Sequence, residues 1–173
     1  MKKLLFILML VISGTAVNAQ SKIAHVNSQQ LLDTMPSRKQ AIKEIQKFQQ
    51  DGMTELQELE EQLRKLYKEY ETAQTNGESP LMLEMKAKKI QAKEQAYQER
   101  QATLEQDLQI LQQRFNEPIL ARVQEAVKIV SDRKKLNYVL DVSSALYANG
   151  EDITNEVMVE LLKLEKESET KKP

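Results

Sequence analysis

The residues YETAQTNGESPLMLEM, Tyr70 to Met85, decide how this chain folds. Asn76-Gly77 is a pair that ends helices, because glycine enters the left-handed conformation of a C′ residue without steric strain. Ser79-Pro80 is a pair that begins them. The serine hydroxyl caps free N–H groups, and proline is tolerated at the first helical position, where its N–H would have no partner. One helix therefore stops and another starts within a few residues.

Upstream, the apolar residues Ala41, Ile45, Phe48, Leu56, Leu59, Leu63, Leu66 and Tyr70 recur in steps of three and four, broken only around Gly52. That spacing is a coiled-coil seam with one stutter. Downstream, Leu83, Ala87, Ile90, Glu94, Tyr97, Gln101, Leu104, Leu108, Leu111 and Phe115 keep a strict heptad. Pro118 is then expected to interrupt the helix, since it lacks an N–H. The arms Ser37–Thr75 and Pro80–Glu117 contain 39 and 38 residues, and each would be ~57 Å long at 1.5 Å per residue. Equal arms about a short turn predict an antiparallel hairpin. Its register pairs residues whose numbers add to about 156: Ile45 with Leu111, Phe48 with Leu108, Leu59 with Tyr97, Leu66 with Ile90. The same rule sets Leu63 against Glu94 and Leu56 against Gln101, and it leaves Leu104 opposite Gly52 with nothing to pack on. The distal half is expected to be soft for that reason.

The hairpin is flanked by a different texture. Lys22 to Asn27 reads as a strand, with Asn27 as cap of a short helix, Ser28 to Thr34. After Pro118, Ile119, Val123, Val127 and Val130 carry a helix to about Asp132. Residues 138–142 and 145–148 read as two further strands, followed by an Asn149-Gly150 turn. Thr154 opens a last helix with Val157, Leu161 and Leu164 on its apolar side. Three short strands make a sheet with open edges and little core. Sharing strands between copies of the chain would cover them. The expectation is a homo-oligomer whose body is built by Ile23, Val26, Tyr138, Val139, Leu140 and Val142.

The N-terminus reads as a secretory signal. Lys2 and Lys3 precede an apolar run, Leu4 to Ile12, and a small-residue cleavage site ending at Ala19. The run is well short of the ~20 residues that span a bilayer. The domain plan is thus a signal peptide at 1–19, a first body segment at 20–36, a hairpin at 37–117, a second body segment at 118–166 and a frayed tail at 167–173.

Composition narrows the chemistry. With 25 basic and 26 acidic residues, formal net charge −1 and 5% aromatics, nucleic acid is not expected as a partner. There is no Cys and a single His, so thiol chemistry and transition-metal sites are excluded. His25, beside Ile23 and Val26, reads as a structural strand residue. Glycines at 14, 52, 77 and 150 compose no phosphate-binding loop. Asn149-Gly150-Glu151-Asp152 reads as a turn, with no EF-hand pattern. No catalytic residue, metal site or cofactor is expected, so the chain should act by contact.

Apolar residues off the seam are candidates for that contact: Met53, Tyr67, Leu81, Met82 and Met85. Methionine suits surfaces that accept varied partners. The other reading is that Leu81 and Met82 pack beneath the turn. The acidic stretch Glu55, Glu58, Glu60, Glu61 and the basic stretch Lys86, Lys88, Lys89, Lys93 are either solvated faces with some cross-arm pairing or contacts for an acidic client or an anionic lipid head group.

These features together resemble the Skp (OmpH-like) family of periplasmic chaperones. Lys22-Ile23-Ala24-His25-Val26-Asn27 after a signal peptide, and Leu136-Asn137-Tyr138-Val139-Leu140-Asp141-Val142 running on to Asp152-Ile153-Thr154, carry the likeness most specifically. The hairpin matches in architecture more than in residues. The resemblance implies a mostly α protein with a small β body, a jellyfish-like homotrimer whose helical tentacles project from strands shared between subunits. It implies an ATP-independent holdase that binds unfolded outer-membrane proteins in the cavity between the tentacles. Strong basicity is a family trait that this mildly acidic chain lacks, so contact with anionic lipid or lipopolysaccharide is left open. The rival reading is a structural coiled-coil spacer or adaptor of the cell envelope that holds one folded partner.

Overall fold

The computed structural model describes residues 22–170, and the signal peptide expected at 1–19 lies outside them. In chain order the elements are β1 (Ile23–Val26), α1 (Ser28–Thr34), α2 (Pro36–Thr75), α3 (Pro80–Lys134), β2 (Tyr138–Asp141), a 3-10 turn (Val142–Ser144), β3 (Glu151–Asp152) and α4 (Thr154–Thr170). The chain divides into two units. One is Pro36–Ile119; the other joins the residues up to Met35 to those from Leu120 onward.

The first unit is the helical hairpin. Its turn is a Schellman motif: Gly77 has φ 70°, Glu78 N–H donates to the Ala73 carbonyl at 3.0 Å, and Gly77 N–H donates to that of Gln74 at 3.2 Å. The Ser79 carbonyl then accepts from the N–H groups of Met82 and Leu83, starting α3. Ala41, Gly52 and Ala73 are buried along α2, and Ile90, Leu104 and Ile119 along α3. Ile45, Phe48, Leu56, Leu59, Leu63, Leu66, Tyr70, Tyr97, Leu108, Leu111 and Phe115 are half-buried between them. This is the depth expected of a seam covered by only two helices. Two cross-arm bonds keep the expected register within one residue: Arg100 to Glu55 at 2.6 Å and Lys93 to Gln62 at 2.8 Å. Ala87 and Gln101, however, are exposed. They lie at the margin of the stripe, where a heptad count on a 3.6-residue helix drifts outward.

Gly52 corrects the reading made of it. A Cβ built there would lie 3.0 Å from Leu104 Cδ2 and 3.2 Å from Cδ1. Leu104 therefore seats directly on the glycine backbone and is itself buried. The stutter is a socket for Leu104.

Pro118 corrects another. α3 runs unbroken through it to Lys134. Pro118 is on the exposed side, where the Arg114 carbonyl that loses its partner can be hydrated.

The second unit is a three-stranded, wholly parallel sheet of order β2-β1-β3. Ile23 pairs with Tyr138, Ala24 with Val139, His25 with Leu140 and Val26 with Asp141; on the other side Ala24 pairs with Glu151 and His25 with Asp152. The third strand is thus 151–152. Residues 145–148 form no strand, because the Asp141 side chain accepts from Ser143 N–H at 3.0 Å and turns the chain away after β2. α1 packs against α4, and α4 against β1. Leu31, Met35, Ala126, Val130, Ile153, Val157 and Leu161 are fully buried in the unit's core. α4 reaches Thr170, further than a tail frayed from 167 would allow; residues 171–173 lie outside the description.

The Leu104 socket makes a test. Gly52→Val puts branched carbon into occupied space, so the variant should lose about 1–3 kcal/mol in urea titration. Adding Leu104→Ala should recover part of that loss, giving a coupling of at least about 0.5 kcal/mol in a double-mutant cycle.

Candidate functional site

Each unit carries its own apolar surface. On the hairpin, Met53, Tyr67, Leu81, Met82 and Met85 are all exposed. Leu81, Met82 and Met85 occupy the first turns of α3 on either side of Leu83, the seam position, so the helix holds them outside the stripe. Leu81 and Met82 do not pack beneath the turn. Tyr67 is committed in part: its hydroxyl donates to Glu94 of the opposing arm, and this raises the Tyr67 pKa above its ordinary value. Glu94, expected to be a gap in the seam, thereby has a partner.

Beside the Leu104 socket lies an open groove of about 430 Å³, walled by Phe48, Gly52, Met53, Leu56, Leu104 and Leu108. Of these only Met53 was a candidate contact residue from sequence. The groove exists because a missing side chain at 52 lowers the wall on one flank, which spacing alone does not reveal. Ile42 and Ile110, also exposed, are further off-seam apolar residues of the kind that singled out Met53.

Part of the charge runs is taken up in side-chain contacts. Glu55 holds Arg100, Lys88 holds Glu84 at 2.7 Å, and Lys93 reaches Gln62. Lys65, Lys68 and Lys86 line a cleft of about 410 Å³ near the turn together with Glu69 and Glu78, so its charges are mixed.

In the body, the sheet has two unlike faces. Ala24 and Val26 are buried on the helix-covered side, and their partners Val139 and Asp141 are half-buried. Ile23, Tyr138 and Leu140 point the other way, with Tyr138 60% and Leu140 50% exposed. Parallel sheets are normally covered on both faces, and this one is covered on one. Leu146 and Tyr147, in the loop before β3, are also fully open. Of the residues assigned to an oligomer body, Val26 serves the chain's own core, Val139 and Val142 are half-buried, and Ile23, Tyr138 and Leu140 lie bare.

Polar contacts lock the rest. Asn27 Oδ1 caps α1 through Gln30 N–H, while Asn27 N–H donates to Thr154 Oγ1, both at 3.0 Å. Arg122 pairs with the buried Glu165 at 2.6 Å, Arg133 with Glu160 at 2.7 Å, and Lys134 with both Glu151 and Glu156. His25 Nε2 is 3.9 Å from Asp152 Oδ2. Among the described residues no group of three or more His, Cys, Asp or Glu could hold a metal ion, and no helix is long and apolar enough to cross a membrane.

The pattern of a short sheet flanking a long hairpin has relatives. The family described as outer membrane protein (OmpH-like) matches residues 22–161. The chain belongs to the OmpH-like family. Among its relatives, the chaperone protein Skp of Pectobacterium atrosepticum is 30% identical over 151 residues, covering 84% of this chain and 88% of that one. Skp of Photorhabdus luminescens is 28% identical over 167 residues, covering 91% and 98%. In fold, this OmpH-like chain is similar to a solved structure of a putative outer membrane chaperone (OmpH-like) from Caulobacter crescentus. The TM-score is 0.71 at 20% identity, over 83% of this chain and 85% of that one.

Two carboxylates of the body make its stability pH-dependent. The Ser28 hydroxyl and Ser143 N–H hold Asp141 below the usual carboxylate range, and the Thr154 hydroxyl and N–H do the same for Asp152, with His25 adding to it. Groups depressed by folding stabilise the fold at pH above their ordinary value of about 3.9 and lose that contribution as pH falls through the depressed one. The urea midpoint should therefore hold from neutrality down to about pH 4 and drop below it. Asp152→Asn removes the titration and with it the contribution of the ionised carboxylate, so it should lower the neutral midpoint towards the acid value and thereby shallow the acid limb.

Proposed function

We propose that this chain is an ATP-independent holdase of the periplasm that binds unfolded outer-membrane proteins through its hairpins and prevents their aggregation. The observation that carries the reading is the exposed apolar set on the hairpin, Met53, Leu81, Met82 and Met85, held outside the seam. Flexible thioethers and leucines displayed along a long hairpin suit many weak contacts with a chain that has no fixed shape. The relatives named chaperone protein Skp support the same role. Weak contacts spread over several hairpins would give avidity while leaving each contact free to exchange.

The bare sheet face supports self-association. Ile23, Tyr138 and Leu140 present apolar area on a parallel sheet that needs a second cover, and a copy of the same chain supplies a matching patch. The assembly proposed is a homotrimer, as the family resemblance implies, with clients held between hairpins. A signal peptide at 1–19, as the sequence reads, supports a place beyond the inner membrane.

Dilution of a urea-unfolded outer-membrane β-barrel into buffer tests the function. Sub-micromolar chain should suppress the light scattering of aggregation without nucleotide. A spacer would leave scattering unchanged and instead copurify with one folded protein at fixed ratio. Met82→Ser with Met85→Ser should weaken client retention several-fold while sedimentation mass stays the same. Leu140→Asp, by contrast, should leave the circular dichroism of the protomer intact and reduce the sedimentation mass to that of a single chain, since it buries an unpaired charge only in the assembly.

A further inference from the structure

The methionines among the described residues are sorted by depth. Met35 is 0% exposed in the core of the body, whereas Met53, Met82 and Met85 are 58%, 45% and 50% exposed on the hairpin. Met158, on α4, is half-buried. The three open ones belong to the off-seam set, and Met53 also walls the groove beside Leu104. The chain contains no cysteine, so no thiol competes for a two-electron oxidant. Thioether sulfur is then the softest nucleophile the protein offers.

We propose that Met53, Met82 and Met85 are sites of reversible oxidation that switch off the contact surface without unfolding the chain. The inference rests on the holdase reading above. The oxidant is a hydroperoxide. A sulfur lone pair attacks the terminal peroxide oxygen, an S–O bond forms as the O–O bond breaks, and the departing oxygen takes up a proton as water or an alcohol. Sulfur loses two electrons and the peroxide gains two. The product sulfoxide carries a strong dipole where the surface had an apolar, adaptable side chain. At Met53 that dipole stands at the mouth of an apolar groove; at Met82 and Met85 it breaks the patch they share with Leu81. None of the three holds the seam, so the hairpin survives. Met35, which does hold the core, is sealed from the reagent.

The experiment uses the signal-free chain, dilute hydrogen peroxide and a urea-unfolded outer-membrane β-barrel as client. Peptide mass mapping should show an added oxygen at 53, 82 and 85 well before 35, with the helical circular dichroism unchanged. Bound client should slow oxidation at those three positions. The oxidised chain should need roughly tenfold more protein for half-suppression of aggregation, and the two methionine sulfoxide reductases, one for each epimer, should restore it. Met53→Leu, Met82→Leu and Met85→Leu together remove the oxidisable sulfurs, so whatever suppression this variant retains should be the same before and after peroxide. Full suppression by a chain oxidised at all three positions would overturn this inference alone, as would equal peroxide sensitivity in the leucine variant. Should that variant be inactive before treatment, reductase rescue of the wild type decides in its place. Failure of the untreated wild type to suppress aggregation would overturn the holdase reading, and this inference with it.

Discussion

Two helices packed side by side have a single line along which apolar groups can leave water, and the hairpin depends on that line. A helix in a larger bundle can bury a broad face, but here only the residues from Ala41 to Ala73 and from Leu83 to Ile119 that fall on the stripe find cover. Any apolar residue even one position aside remains wet. The exposure of Met53, Leu81, Met82 and Met85 follows from this geometry, whatever use is made of it. The same thinness explains why a glycine matters. With few neighbours available to close a gap, Leu104 stays buried only by seating on bare backbone at Gly52.

The body obeys a related constraint. A parallel sheet of three strands, two of them four residues long and one of two, presents one face to α4, which α1 packs against in turn, and leaves Ile23, Tyr138 and Leu140 bare on the other. Its polar fastenings make up part of the deficit. Asn27, Thr154 and Asp152 form a chain of hydrogen bonds that ties the end of β1 to the start of α4. Arg122 and Arg133 satisfy Glu165 and Glu160 along α4. Such bonds fix geometry more than they add stability, and Ile23, Tyr138 and Leu140 stay without apolar cover within the chain.

Much of this was legible in the residues. Heptad spacing is an arithmetic property, so the seam, the turn and a register good to about one residue could be read directly, and the off-seam methionines stood out as a remainder. What was misread shares a cause: a local rule applied without its surroundings. Gly52 looked like a void because spacing counts side chains, while packing counts space. Pro118 looked like a stop because its missing hydrogen bond was considered without asking which side it faced. Residues 145–148 have β-forming character, but a carboxylate at 141 turns the chain before they can join the ladder, and the two-residue strand that does join, Glu151–Asp152, carries no apolar signal at all. The groove was invisible for a further reason. It is made by both arms together, and no one segment encodes it.

The sheet also dictates an order of events. β1 is its middle strand, yet both neighbours arrive more than a hundred residues later, after the entire hairpin. A chain made from its N-terminus can zip the hairpin from its own turn as soon as the second arm emerges, because those contacts are close in sequence near Gly77. The strands must wait, since closing so long a loop is slow and is rewarded only when β2 and β3 are both out. The sheet therefore cannot form until nearly the last residue has been made, and a polypeptide cut short anywhere before Tyr138 has no ladder at all.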